Sequence, residues 1–279
     1  MHRLTKGAEH TTPPDSHTSS RPTGKNTLTE LEPTDIATQI ATMRPDMPAV
    51  ANRPRSTFSI ATLSHWQTNY WHLTVEVDPD FARTLERPAQ YTTVGVEGLE
   101  PKFLVISSVP GDTTWEFIIS KDSSLGLALS DLSPGAPVVL SHAEGEGFDL
   151  EALEGQEILG FATGSGVATL RPVFKTIARR EPERLARMAL YYGEQREQDF
   201  ILAAEFDAWE REGARIYRVS EDGLSGDAGW RYVQHAFLHD APDLSSSVAL
   251  LSGAPVMLQM VSQLLIERGL APSSILTNI

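Results

Sequence analysis

From Ser56 to Leu150 the chain is written in short Val-, Ile- and Phe-rich runs cut by turn residues. From Glu157 onward similar runs alternate with stretches of helical period. Six strands are predicted in the first stretch: 56–64, 70–77, 90–96, 102–109, 114–120 and 136–143. Pro110-Gly111-Asp112 and Pro134-Gly135 punctuate them. So many short strands in so short a segment predict a small antiparallel barrel or sandwich. One helix, 123–132, interrupts them, with Ser123 or Ser124 as its cap. In the second stretch strands at 157–163, 187–193, 214–220, 247–253 and 273–278 are separated by helices at 168–180, 199–213, 229–240 and 255–269. Strands joined by helical crossovers predict a five-stranded, parallel, doubly wound sheet. The fold class expected is β + α/β: a barrel at 55–150, an α/β domain at 151–279, and a tail at 1–54. No internal repeat is visible.

The tail is rich in Ser, Thr and Pro ("TTPPDSHTSSRPTGKNT") and offers little apolar surface, so it is expected to be disordered or loosely docked. Ile36, Ile40 and Met43 have helical spacing and predict one short helix within it. Its start lacks the apolar core of a secretory signal, and no apolar run is long enough to span a membrane. A cytoplasmic location is expected, with a plastid as the alternative if the tail is a transit peptide.

Composition narrows the chemistry. The 279 residues include no cysteine, which removes disulfides, thiolate catalysis and Cys-ligated zinc or iron–sulfur clusters. The formal net charge of −14, from 37 acidic and 23 basic side chains, disfavours nucleic acid as a partner because no basic patch is segregated.

The candidate chemistry begins at "FATGSGVAT", Phe161 to Thr169, where a predicted strand enters Gly164-Ser165-Gly166 and a helix follows at once. Glycine allows the tight turn and a close approach of backbone to phosphate, and the helix N-terminus offers unpaired N–H groups. Glycine at such a turn also serves simply to pack helix on strand.

Domain order and three further segments give this turn a context. "ILGFATGSGVATLRPVF" resembles the pyridine-nucleotide pyrophosphate loop of the ferredoxin–NADP reductase superfamily. "LYYGEQREQD" resembles its adenosine-ribose segment, and "ALLSGAPVMLQMVSQLLIERGLAPSSILTN" its closing Cys-Gly-Pro segment, helix and last strand. "QYTTVGVEGLEPKFLVISSVP" and "LALSDLSPGAPVVLSHAEGEGF" look most like the barrel of the plant fruit-protein-like branch. The resemblance covers residues 55 to 279 and implies a flavin-holding barrel followed by a nicotinamide-nucleotide domain. It puts Thr163 and Ser252 beside the nicotinamide at the reacting end. Gly164, Ser165 and Gly166 would lie on the pyrophosphate, with Gly193, Glu194, Gln195 and Arg196 at the ribose and Gly253, Pro255 and Met257 along the closing segment. For the flavin it implies Lys102, Phe103, Leu104 and Val105, with Lys121, Ser123, Ser124 and Gly126 as a second phosphate element.

The chain departs from the family pattern at informative points. Lys102-Phe103-Leu104-Val105 stands where the family has Arg-x-Tyr-Ser. Lysine keeps a point charge for phosphate but loses the fork of arginine. Leu104 removes an aromatic face and Val105 a hydrogen-bonding group. Thr169 replaces the family's Pro after the glycine turn, and Ser252 its Cys. Glu194 can accept from ribose hydroxyls and repel a 2′-phosphate, whereas Arg196 argues the other way; the balance leans to NADH over NADPH.

Other signals are read as structural. His235 and His239 are four apart on a helix, but Ala236 replaces the glutamate a zinc-protease motif needs. Trp66, Tyr70 and Trp71 could flank a flavin, with core or edge packing preferred. "REPERLARM", Arg180 to Met188, is expected to be a solvated surface turn. Neither a Gly-x-Ser-x-Gly elbow nor a Gly-x4-Gly-Lys-Ser/Thr loop is present.

The expected function is a flavin-dependent NAD(P)H oxidoreductase, with FAD as first choice and FMN or no flavin as alternatives. The alternative is a nucleotide-binding redox sensor or regulatory subunit that has lost tight flavin binding. The expected partners are a nicotinamide nucleotide and an electron acceptor that is a small molecule or a non-acidic protein, since an acidic surface repels acidic carriers.

Overall fold

The computed structural model describes residues 54–223 and 229–277. The tail up to residue 53, with the short helix predicted at Ile36, Ile40 and Met43, lies outside the described residues. Six strands, β1 (Arg55–Trp66), β2 (Tyr70–Glu76), β3 (Tyr91–Gly95), β4 (Lys102–Val105), β5 (Thr114–Ser120) and β6 (Pro137–Ser141), form one antiparallel sheet in the order β4-β3-β6-β1-β2-β5. The two edges meet beyond β4, where Ser107 N–H donates to Glu116 O on β5 at 2.8 Å, so the sheet curls into a barrel. Its inward positions, among them Leu73, Val75, Val94, Trp115, Phe117 and Leu140, are fully buried and make one core.

Two short helices belong to this half. α1 (Pro79–Ala82) was not anticipated; Asp78 caps it by accepting from Phe81 N–H at 2.8 Å, and Pro79 suits its first position. α2 (Ser124–Leu129) is shorter than predicted and is capped by Ser123, whose Oγ accepts from Gly126 N–H at 2.9 Å.

The second half carries β7 (Glu157–Thr163), β8 (Met188–Glu194), β9 (Arg215–Ser220), β10 (Ser247–Ser252) and β11 (Ile275–Thr277), all parallel, in the order β11-β10-β7-β8-β9. Every residue of β8 and β10 is buried, as a parallel sheet covered on both faces requires. α3 (Val167–Arg180) and α4 (Ala203–Arg211) cover one face through Val173, Phe174, Phe206 and Trp209. α5 (Val233–Asp240) and α6 (Pro255–Glu267) cover the other through Phe237, Val261 and Leu265. β7 supplies both layers by alternation, Ile158 and Ala162 to one and Leu159 and Phe161 to the other. The strand order reverses between β7 and β10, which opens a crevice at their carboxyl ends, as expected of a doubly wound sheet.

The turn expected at Arg180–Met188 is present as a 3₁₀ turn over Pro182–Arg187 with Pro182, Glu183, Ala186 and Arg187 exposed, but it is also anchored: Leu185 is fully buried, and the buried Arg184 donates to Leu153 O at 2.5 Å. The charged letters of the segment hide its single apolar anchor.

The two halves are joined by a buried ionic cluster. Arg171 on α3, 4% exposed, pairs with Glu116 of β5 at 2.9 Å and Glu205 of α4 at 2.6 Å, and donates to Ser107 O at 3.1 Å. Glu116 also takes His72 at 2.8 Å and Lys175 at 3.1 Å. Burial works to raise the Glu116 carboxyl, but these three partners outweigh it and hold it well below the usual carboxylate range. Trp66 roofs the cluster, stacked on His72 with ring centroids 3.9 Å apart and 5.7 Å from the Arg171 guanidinium.

Candidate active-site cleft

The loops after β7 and β10 hold each other in place. Gly253 has φ +144°, and a Cβ there would stand 2.2 Å from Thr163 Oγ1; a Cβ on Gly166 would stand 2.4 Å from Ser252 O. Thr163 Oγ1 accepts from Ala254 N–H at 2.9 Å, and Ser252 Oγ donates to Thr169 Oγ1 at the same distance. The two departures in this half, Ser252 and Thr169, thus satisfy one another. Gly164, at φ +57°, turns the chain out of β7. Gly166 and Gly253 are therefore required by loop packing, whatever else they do.

Above this junction lies a cavity of about 1040 Å³ walled by both halves of the chain. The barrel contributes Phe103, Leu104 and Val105 from β4, with Tyr70 and Ile118. The parallel sheet contributes Thr163, Gly164, Ser165 and Gly166 at the end of β7 and beyond it, Gly193, Glu194 and Gln195 at the end of β8 and beyond it, and Ser252, Gly253 and Met257 at the end of β10 and beyond it. The predicted residues outside this wall are Lys102, Lys121, Ser123, Ser124, Gly126, Arg196 and Pro255. Lys102 and Ser124 are exposed, and their side chains make no hydrogen bond or ion pair among the described residues. Lys121 spends its ammonium on the carbonyls of Gln67 and Thr68, at 3.2 and 2.7 Å. Ser123 is committed to its cap, and a Cβ on Gly126 would meet Ser120 O at 2.0 Å, so that glycine is a packing requirement. Pro255 opens α6.

At the end of β8, Glu194 is buried and already bonded. Tyr70 donates to it at 2.9 Å and 3.1 Å, and Tyr192 donates through a very short contact. Burial pushes its carboxyl up to about 7, Asp199 adding to the push and the tyrosine bonds opposing it. Arg196 is turned away onto Asp199, at 3.0 Å.

Sequence reasoning passed over several wall residues. Tyr70 was assigned to packing with its tryptophan neighbours. Trp71 does pack, donating to Gly126 O at 2.9 Å, whereas Tyr70 is both buried and part of the cavity wall. The alternation of β2 holds the signal, since it sends Tyr70 and Trp71 to opposite faces. Arg231 and Glu221 carried no motif, and Val256 and Met260 were not singled out within the closing segment. His235 and His239 lie against the rings of Tyr232 and Trp230.

The chemistry of the donor set fits the groups expected here. The carboxyl ends of β7, β8 and β10 surround the start of the fourteen-residue helix α3, whose dipole favours an anion. On the barrel side the apolar wall of Phe103, Leu104 and Val105 suits a flat ring system.

Residues 161–263 match the oxidoreductase NAD-binding domain family. The gamma subunit of sulfhydrogenase 2 from Pyrococcus furiosus is 24% identical over 203 residues, covering 68% of this chain and 70% of that one. Among solved structures, the flavohem-like FAD/NAD-binding domain of the Vibrio cholerae nitric oxide dioxygenase superposes with a TM-score of 0.70 at 16% identity, over 81% of this chain and 98% of that one. A ferredoxin–NADP⁺ reductase from Neisseria gonorrhoeae, solved with bound FAD and NADP, gives 0.66 at 15% identity, over 81% and 98%. The chain therefore has the two-domain fold of the ferredoxin-reductase-like superfamily, and its second half matches the oxidoreductase NAD-binding family.

Proposed function

We propose that the chain is a flavin-dependent NAD(P)H oxidoreductase. One observation carries the reading: a single cavity is walled on one side by β4 of the barrel and on the other by the carboxyl ends of β7, β8 and β10. Nicotinamide and flavin, when both are bound, supply hydride and electron transfer, and the protein's contribution is alignment and exclusion of water. Gly164 to Gly166 and the start of α3 receive the pyrophosphate, Thr163 and Ser252 border the nicotinamide, and Glu194 faces the adenosine ribose. Phe103, Leu104 and Val105 form the apolar wall for the flavin ring, with Lys102 and Ser124 on its phosphates. The diversion of Arg196 onto Asp199 supports NADH over NADPH, because it leaves a carboxylate rather than a guanidinium facing the ribose. The sequence likeness of the barrel supports the fruit-protein-like branch.

The test is titration of purified protein with FAD, followed by electron transfer from NADH to ferricyanide. Saturable quenching of flavin fluorescence and a flavin-dependent rate are expected, and both should weaken on Lys102→Ala. Protein that neither quenches FAD nor turns over sinks the proposal. A second reading, a nucleotide-binding regulator with weak flavin affinity, is favoured by the commitment of Lys121 and Ser123 to the barrel itself. It predicts NADH binding without turnover.

A further inference from the structure

One side chain stands across the path a dinucleotide would take. Tyr70 opens β2 on the barrel, is 5% exposed, and reaches to the end of β8 to donate to both oxygens of Glu194. A Cβ built on Gly164 would stand 3.4 Å from the same phenolic oxygen. The phenol therefore sits between the first glycine of the β7–α3 turn and the carboxylate that closes β8. Those are the places the proposed function gives to pyrophosphate and adenosine ribose.

The bond is one of exchangeable kind. Burial, reinforced by Glu194, keeps the Tyr70 hydroxyl protonated and hence a donor. Tyr192 also donates to Glu194, but it lies on the same strand two residues earlier and cannot tie the sheets together. A ribose diol presents hydroxyl donors of the same chemistry as a phenol and needs the same acceptor. Tyr70 already reaches both Glu194 oxygens from the barrel side, so a ribose hydroxyl arriving from the cleft competes with it for them.

We propose that Tyr70 is a latch between barrel and nucleotide domain, and that a bound dinucleotide releases it by offering its adenosine ribose to Glu194 in exchange. Tyr70 is thus a positioning residue, acting through Glu194. The inference rests on the reading of this cleft as a pyridine-nucleotide site. Removing the hydroxyl removes a competitor that only the free protein enjoys, so ligands that carry the adenosine ribose bind more tightly.

Calorimetric titration with ADP-ribose and with nicotinamide mononucleotide tests this on the full chain. Tyr70→Phe keeps the ring and is expected to tighten ADP-ribose about tenfold, the equivalent of one hydrogen bond to a charged acceptor. Nicotinamide mononucleotide, which lacks the adenosine ribose, is expected to bind the variant and the parent alike. Tyr70→Leu gives the same comparison if the phenylalanine variant does not fold. Unchanged or weaker ADP-ribose binding overturns the latch, as does equal tightening of both ligands, which would mean a general loosening of the cleft. If the parent binds neither ADP-ribose nor NADH, the nucleotide reading itself fails, and the latch falls with it.

Discussion

Glu194 and Gly253 are the residues where the cleft imposes its largest local costs. Burial, with Asp199 adding to it and the Tyr192 and Tyr70 bonds opposing, raises the Glu194 carboxyl from 4.5 to about 7. Between those values the folded protein keeps a proton that the unfolded chain gives up, so stability falls as pH rises through the window. Glu194→Gln has no charge to bury. Its melting temperature should match the parent near pH 4.5 and exceed it by pH 8, by the equivalent of ~2–3 kcal/mol; a constant difference across that range would refute this. Gly253 fails differently, since Gly253→Ala adds both a disfavoured φ and a contact with Thr163 Oγ1. A loss of roughly 3 kcal/mol or more is expected in denaturant unfolding, together with weakened nucleotide binding. The sequence pointed to Gly166 through its glycine turn between strand and helix, and to Thr163 and Gly253 through the family resemblance of their two loops. It could not show that Ser252 and Thr169 answer one another, because a hydrogen bond between residues 83 apart leaves no local pattern.

At the scale of elements, strands and helices were legible wherever one face is buried. The short apolar runs of the fully buried β8 and β10 and the amphipathic period of α3 and α4 are plain in the sequence. The losses fall where a single contact decides the structure: α1 depends on the Asp78 cap, and the Pro182–Arg187 turn on Leu185. The barrel's contact with the parallel sheet was invisible for the same reason, since nothing local in the sequence pairs Glu116 of β5 with Arg171 of α3. In the folded protein they are the ionic centre of that contact. Arg171→Met should therefore leave Glu116 and Glu205 without their guanidinium and cost ~3–5 kcal/mol in chemical denaturation. A loss below ~1 kcal/mol would mean the cluster is solvated and incidental.

At the scale of the molecule, the two sheets matter because neither alone makes the cavity. The barrel's edge supplies an apolar wall, the parallel sheet supplies glycine turns and a helix N-terminus, and Tyr70 crosses between them. The net charge of −14 then acts on whatever acceptor approaches the cleft. Added salt should speed reduction of an anionic acceptor such as ferricyanide and slow that of a cationic metal complex, as steady-state rates would show. Equal salt response of the two would mean that the surface field does not reach the rim. The central claim, that flavin and nicotinamide share this one cleft, is tested most directly by the visible spectrum of the FAD-loaded protein under anaerobic titration with NADH. Bleaching of the flavin bands with one equivalent, slowed by Lys102→Ala, is the predicted result. A flavin spectrum that NADH leaves untouched, or a protein that stays colourless after incubation with FAD, would contradict it.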